Sequence, residues 1–176
     1  TTASANNQIN DNTVSGISSA ATYTGAGMNA AVVGIHFTSS LNGHSIARNT
    51  IHSLSYSVAS AIVNVIGLAY SPATGTGNVV ESNFIHSLNI SSTNVASSIN
   101  GIYVNTGNSE FRNNMIRLGI NAAGGNITTG YVINGINEIA GTNTFYHNSI
   151  YIGGTGVTTA TNQTACLKTA VTTANI

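Results

Sequence analysis

The chain is nearly without charge. Its 176 residues include four Lys or Arg and four Asp or Glu, for a formal net charge of zero. No basic stripe exists to meet a phosphate backbone, so a nucleic-acid partner has no electrostatic support. There is one cysteine, Cys166, which excludes an internal disulfide and a multi-cysteine zinc site. With Lys168 as its one basic neighbour, Cys166 reads as a small buried hydrophobe and not as a reactive thiol. No apolar run approaches the ~20 residues of a membrane helix, so membrane insertion is not expected. The chain opens on polar text, TTASANNQ, without an initiator Met or a signal peptide. It therefore reads as a processed piece of something larger.

What is abundant is small and polar. Asn, Thr, Ser and Gly number 25, 23, 20 and 19, about half the chain. Such text could belong to a disordered segment, but disordered chains are usually charged and poor in β-branched residues. Here Ile and Val recur in short alternating runs, the pattern of ordered β-structure with one buried face. At this length the chain can bury a sizeable core as a single domain, 1–176.

Self-comparison shows a repeat. The matching pieces are QINDNTVSGI (8–17), SIARNTIHSL (45–54), VVESNFIHSL (79–88), EFRNNMIRLG (110–119) and TFYHNSIYIG (144–153). They align Asn12, Asn49, Asn83, Asn114 and Asn148, with separations of 37, 34, 31 and 34. Three residues before each Asn stands Ile9, Ile46, Val80, Phe111 or Phe145; two after it stands Val14, Ile51, Ile85, Ile116 or Ile150. A second marker keeps nearly the same period. Gly34, Gly67, Gly101 and Gly135 each follow an apolar residue by two places: Val32, Val65, Ile99 and Ile133.

A period near 34 also suits helix-turn-helix repeats. The content argues against them: Ser, Thr, Asn and Gly are poor in helix interiors, and the local apolar period is two. Each repeat is better read as one coil of an all-β solenoid, two or three short strands per coil, stacked in parallel at ~4.8 Å.

The text GIYV…EFRNNMI and its four relatives resembles the right-handed parallel β-helix repeat family, the pectate-lyase-like superfold. The resemblance spans roughly residues 8 to 153 and implies a right-handed winding of about five coils. It is specific for fold and weak for function, because many activities use this scaffold. The stretches FYHNSIYIGGTG and GIYVNTG also look like segments of very large secreted bacterial repeat proteins, which implies an extracellular or cell-surface setting. In such coils the Asn sits at a sharp corner, turned inward. Asn tolerates left-handed backbone and bonds backbone groups around a turn. Stacked amides can then satisfy one another along the axis as a ladder.

Catalytic chemistry finds little to stand on. Lyases on this scaffold hold calcium with carboxylates and use a basic proton acceptor, and hydrolases need two or three acids around the scissile bond. Asp11, Glu81, Glu110 and Glu138 form no paired motif in the repeat frame, so no catalytic residue and no cofactor is expected. His52 and His86 share one frame position, in a row with Ser15, Arg117 and Tyr151; two stacked imidazoles without a carboxylate are a thin case for a metal. The row two before the Asn is Asn10, Ala47, Glu81, Arg112 and Tyr146. Glu81, His86, Arg112, Arg117, Tyr146 and Tyr151 thus lie on adjoining strips, a candidate carbohydrate-binding face. The plainer reading is a ladder of solvated side chains with a Glu81–Arg112 pair. Ice binding would need a flat Thr array, and the row after the Asn breaks after Thr13 and Thr50 into Phe84, Met115 and Ser149.

The expectation is a structural spacer module, with glycan-binding adhesion as the alternative. The segments 18–31, 55–64, 89–98 and 121–132 read as variable loops, and 154–176 as a degenerate coil or irregular cap. Neither terminus shows a helical or charged cap. The solenoid ends should therefore be covered by further repeats of the parent chain, the tail, or a second copy stacked end to end.

Overall fold

The computed structural model describes residues 5–159 and 162–172. The chain winds as five coils of a right-handed parallel β-solenoid. The first coil contains β1 (Gln8–Asn10), β2 (Thr13–Ser15), β3 (Ser18–Ser19) and β4 (Val32–Thr38). The second contains β5 (Ser45–Ala47), β6 (Thr50–Tyr56) and β7 (Asn64–Ser71). The third contains β8 (Asn78–Glu81), β9 (Phe84–Ile90) and β10 (Ser98–Val104). The fourth has β11 (Ser109–Arg112), β12 (Met115–Leu118) and β13 (Val132–Glu138). The fifth has β14 (Thr144–Tyr146), β15 (Ser149–Ile152), the short helix α1 (Gly156–Thr159) and β16 (Ala165–Thr169).

Equivalent strands stack into three parallel sheets. Sheet A is β1-β5-β8-β11-β14, sheet B is β2-β6-β9-β12-β15, and sheet C is β4-β7-β10-β13-β16. The register is that of the repeat frame: Ile46 pairs Val80, Phe111 pairs Phe145, and Ile51 pairs Ile85. The inward columns of the three sheets meet in one core, in which Ile46, Val80, Phe111, Ile51, Ile85 and Ile116 are all buried. Phe111 stacks on Phe145 with ring centroids 5.0 Å apart, continuing the column as an aromatic stack.

The glycine marker and the Ile marker are two halves of one contact. A Cβ on Gly67 would lie 2.5 Å from Ile85 Cγ2 and 2.6 Å from the Gly101 carbonyl oxygen. On Gly101 it would lie 2.6 Å from both Ile116 Cγ2 and the Gly135 carbonyl oxygen. Sheet C therefore carries glycine because the β-branched residue of sheet B in the next coil fills the space. Cys166 ends this glycine column in β16 and is exposed, against the expectation of a buried thiol. Among the described residues no following coil brings an Ile against it, so a side chain fits there.

The corner between sheets A and B differs from expectation in one respect. The left-handed residue is not the ladder asparagine but the one before it: Asp11, Arg48, Ser82, Asn113 and His147 have φ of 61°, 55°, 54°, 55° and 56°. One left-handed residue swings the chain through the corner, and the next side chain, the Asn, then points inward. Sheet B is also longer than the repeat suggests. In the second and third coils it continues through left-handed Ser53 and Ser87 to Tyr56 and Ile90, so part of the expected loops is strand.

The loop of the first coil folds back over the outer side of sheet C. A 3₁₀ turn at Gly27–Asn29 packs on β7, and Asn64 Nδ2 donates to the Gly25 carbonyl at 3.3 Å. Ile66 and Ala69 are thereby fully buried. At the other end, β16 adds the fifth strand to sheet C, while residues 160–161 and 173–176 of the expected terminal cap lie outside the described residues. Among the described residues no strand pairs with the outer edges of β14, β15 or β16.

Candidate functional site

Two polar columns run inside the solenoid, and two polar strips run outside it. The first inner column is the asparagine ladder. Asn49 Nδ2 donates to Asn83 Oδ1 at 2.9 Å, and Asn83 Nδ2 donates to Asn114 Oδ1 at 2.9 Å. Asn12 joins at 3.0 Å and Asn148 at 2.9 Å. The second hydrogen of the Asn49, Asn83, Asn114 and Asn148 amides goes to the coil before, as in Asn83 Nδ2 to the Ile46 carbonyl at 2.9 Å, while that of Asn12 goes to the Asn10 carbonyl at 2.9 Å. Oδ1 of Asn49, Asn83, Asn114 and Asn148 also accepts a backbone N–H, as Asn83 Oδ1 does from Asn49 at 3.0 Å. Two donated and two accepted bonds exhaust the capacity of a primary amide. That is why Asn49, Asn83 and Asn114 are stable at 1% exposure. Asn12, at one end, is exposed, and Asn148, at the other, is half-buried.

The second inner column was not recognised from the sequence. It lies five residues before the ladder: Asn7, His44, Asn78, Ser109 and Asn143. Asn7 N–H donates to His44 Nδ1 at 3.1 Å, His44 N–H to Asn78 Oδ1 at 3.2 Å, and Ser109 N–H to Asn143 Oδ1 at 3.0 Å. These side chains cap backbone donors at the corner entering sheet A. Five hydrogen-bonding residues at one frame position were the available signal. Glu138 was also missed. It is fully buried in the column of Phe37, Tyr70 and Val104, and its carboxylate accepts from Asn143 Nδ2 at 2.8 Å and Thr169 Oγ1 at 2.6 Å. Nearby, burial pushes the Tyr70 hydroxyl up to about 12, against the opposing effect of its hydrogen bond with Ser109.

On the outer side of sheet A the structure brings Glu81, Arg112 and Tyr146 together, with Glu110 added. Arg112 Nε donates to Glu81 at 2.8 Å, and its Nη1 to Glu110 at 2.8 Å and to the Tyr146 hydroxyl at 3.1 Å. Tyr146 in turn donates to Glu110 at 2.8 Å. The Tyr146 and Glu81 bonds hold the Arg112 guanidinium firmly protonated, its pKa raised. A similar pair sits one corner away, where Arg48 grips Asp11 through two bonds of 2.7 Å and lowers the pKa of that carboxyl.

His86, Arg117 and Tyr151 fall on the outer side of sheet B, around the corner from this network. His52 and His86 stack with centroids 4.9 Å apart and an interplanar angle of 1°, and Phe84 lies 4.3 Å from His86. Each imidazole shares a hydrogen bond with the next residue, His52 with Ser53 at 2.9 Å and His86 with Ser87 at 2.8 Å. Desolvation chiefly, and then the charges of His52 and Arg117, push the His86 pKa down. Next to the imidazoles is a shallow, largely apolar groove of about 310 Å³, lined by Phe84, Met115, Arg117 and Tyr151. Met115 and Tyr151 are 54% and 59% exposed. Among the described residues Arg117 has no ion-pair partner, unlike Arg48 and Arg112.

Among the described residues no group of three or more His, Cys, Asp or Glu is gathered as a metal site requires. Among them, too, no helix is long and apolar enough to cross a membrane. On the outer side of sheet C, Asn134 and Asn137 donate to Asn100 Oδ1 at 3.1 and 3.2 Å. Comparison of the chain with protein-family models, curated proteins and solved structures finds no match.

Proposed function

We propose that this chain is a structural module: a stiff β-solenoid spacer of a secreted or cell-surface bacterial protein, of the pectate-lyase-like repeat type, without catalysis of its own. The observation that carries this reading is the continuity of the inner columns. The ladder and the apolar rows pass through all five coils, so that load on one coil is shared by its neighbours through parallel strand pairing and buried amides. Two of the three arginines are spent on carboxylates of the same surface. Single-molecule stretching of the chain between marker domains tests the idea. A spacer gives a high, sharp unfolding force; yielding at the force of a random coil would remove the proposal.

The groove on sheet B favours a second reading, glycan binding by adhesion. Tyr151 and Phe84 offer aromatic faces for a sugar ring, and Arg117 offers uncommitted donors. In this reading a glycan array gives binding that Tyr151→Ala and Arg117→Ala each abolish while Arg48→Ala leaves it intact. Silence across the array withdraws it.

A further inference from the structure

We propose that the outer face of sheet B binds a sulfated glycan, with Arg117 and His86 holding one sulfate group and binding strengthened in acid. The inference deepens the glycan-binding reading above and rests on it.

The charges of the whole chain point to this face. All four acidic side chains are committed elsewhere: Asp11 to Arg48, Glu81 and Glu110 to Arg112, and Glu138 in the interior. Among the described residues two cations are left without an ion-pair partner, Lys168 on sheet C and Arg117 on sheet B. Lys168 stands beside Asn137, whereas Arg117 stands beside His86, with His52 on the strand after that. Sheet B thus carries three nitrogen-bearing side chains in a row on β6, β9 and β12 and no carboxylate to balance them. Each of these strands is paired on both edges, so the strip is interior to the stack.

The imidazoles are already oriented. Nδ1 of each is taken by the hydroxyl of Ser53 or Ser87, and among the described residues neither Nε2 has a hydrogen-bond partner. Desolvation first, then the charges of His52 and Arg117, push the His86 pKa down. Across the corner stand the closed pairs Arg48–Asp11 and Arg112–Glu81; His147 is the corner residue of the fifth coil, and Tyr151 follows Arg117 on β15. An anion set between Arg117 and His86 opposes the two positive charges and raises the His86 pKa. By linkage, the protonated site binds that anion more tightly.

The donor set selects the anion. A guanidinium fork fills the two oxygens of a carboxylate by itself. A sulfate ester offers a further outer oxygen to His86 Nε2–H, one strand away at the ~4.8 Å spacing of the sheet. It also stays ionised where a phosphate monoester, with a second pKa of about 6, gives up charge just as the imidazoles gain it.

The sugar itself has surfaces to meet. Phe84, 4.3 Å from His86, offers a ring face. Beyond Ser53 and Ser87 lies a recess of about 210 Å³ lined by Ser55, Asn89 and Asn121, whose hydroxyls and amides suit sugar hydroxyls. Asn121 belongs to a finger closed by an antiparallel bridge between Ile120 and Asn126, and its Oδ1 accepts from the Ala123 and Gly125 N–H groups at 3.0 and 2.9 Å. The finger reaches back from the fourth coil to Ser53 and Ser55 of the second. Cationic strip and polar recess therefore lie side by side along the solenoid axis.

The test is calorimetric titration of the 176-residue chain at fixed ionic strength, at about pH 7.5 and about pH 5.5, on either side of the ordinary histidine range. The probes are dextran sulfate, polygalacturonate and neutral dextran. Dextran sulfate should bind best, at least about tenfold tighter at the lower pH, and should raise the His86 pKa in an imidazole NMR titration. Arg117→Gln should weaken binding at both pH values. The double variant His52→Gln, His86→Gln should keep the affinity of the higher pH and lose the gain in acid. Lys168→Gln and His36→Gln, which remove a cation and an exposed imidazole from sheet C, should change nothing; circular dichroism establishes that every variant folds. Equal loss in Lys168→Gln, an acid gain that survives the double histidine variant, or polygalacturonate binding as tightly as dextran sulfate would each overturn the proposal. Neutral dextran bound independently of pH would refute it while leaving the glycan reading standing. Silence from all three probes and from the glycan array removes both.

Discussion

Replacing Asn83 by alanine removes four hydrogen bonds at the centre of the ladder. The loss is not symmetric. The Asn49 N–H and one Asn49 amide hydrogen are left buried without partners, while the Ile46 carbonyl keeps its strand pairing with β8 and Asn114 Oδ1 keeps the bond from the Asn83 backbone N–H at 3.1 Å. Each orphaned group costs roughly 1–3 kcal/mol. A water entering the freed volume would satisfy some of them. The expected total is about 2–4 kcal/mol, between one orphan and the sum of two. Asn12→Ala is the control: it is exposed, and its loss leaves Asn49 Oδ1 with the Asn12 backbone N–H at 3.0 Å, so it should cost below about 1 kcal/mol. Asn83→Asp is the sharper probe. It turns the donor nitrogen into an oxygen facing the Ile46 carbonyl and Asn114 Oδ1, so at neutral pH it should be worse than alanine. Burial and those oxygens raise the pKa of the new carboxyl, so the folded state binds the proton more tightly than the unfolded one. The variant should therefore regain stability as pH falls toward the carboxylate range and lose it as pH rises. Urea unfolding followed by circular dichroism reads all three variants. A cost for Asn83→Ala no greater than for Asn12→Ala, or an aspartate variant indifferent to pH, would refute the ladder as a source of stability.

Gly101→Ala should cost about 3 kcal/mol through overpacking, and adding Ile116→Leu should restore only part of it, since the Gly135 carbonyl still lies 2.6 Å from the new Cβ; thermal melts of the single and double variants decide this. At the exposed, left-handed Ser82, alanine should be nearly silent because both residues carry a Cβ, whereas valine should cost about 1–2 kcal/mol, read by the same melts. The lowered pKa of His86 means that the unfolded chain binds its proton more readily. Stability from this site is therefore present above the ordinary histidine range and is lost as pH falls through it. Imidazole NMR titration should find His86 below the ordinary histidine range, and Arg117→Gln should raise it only partway, because desolvation remains the larger cause.

The repeat by itself determined a great deal. Asn, Gly and Ile at fixed spacing specify coil length, parallel register and which side chains face inward, because strands alternate faces and any slip by one residue would turn Ile85 and Ile116 out into water. For the same reason Glu81 with Arg112, and His86 with Arg117, could be assigned to shared outer strips before any coordinates. Three things needed the folded chain. The left-handed residue before each Asn is Asp, Arg, Ser, Asn or His, so no residue type announces the corner; only the path of the backbone does. The burial of Glu138 and the exposure of Cys166 follow from what the neighbouring coil lays against each side chain among the described residues, which no local pattern encodes. The split of the candidate face into a saturated network on sheet A and an open groove on sheet B depends on the angle between two sheets. That angle is set by how the core packs across all three, a sum of contacts far apart in the chain, and the local period-two pattern says nothing about it.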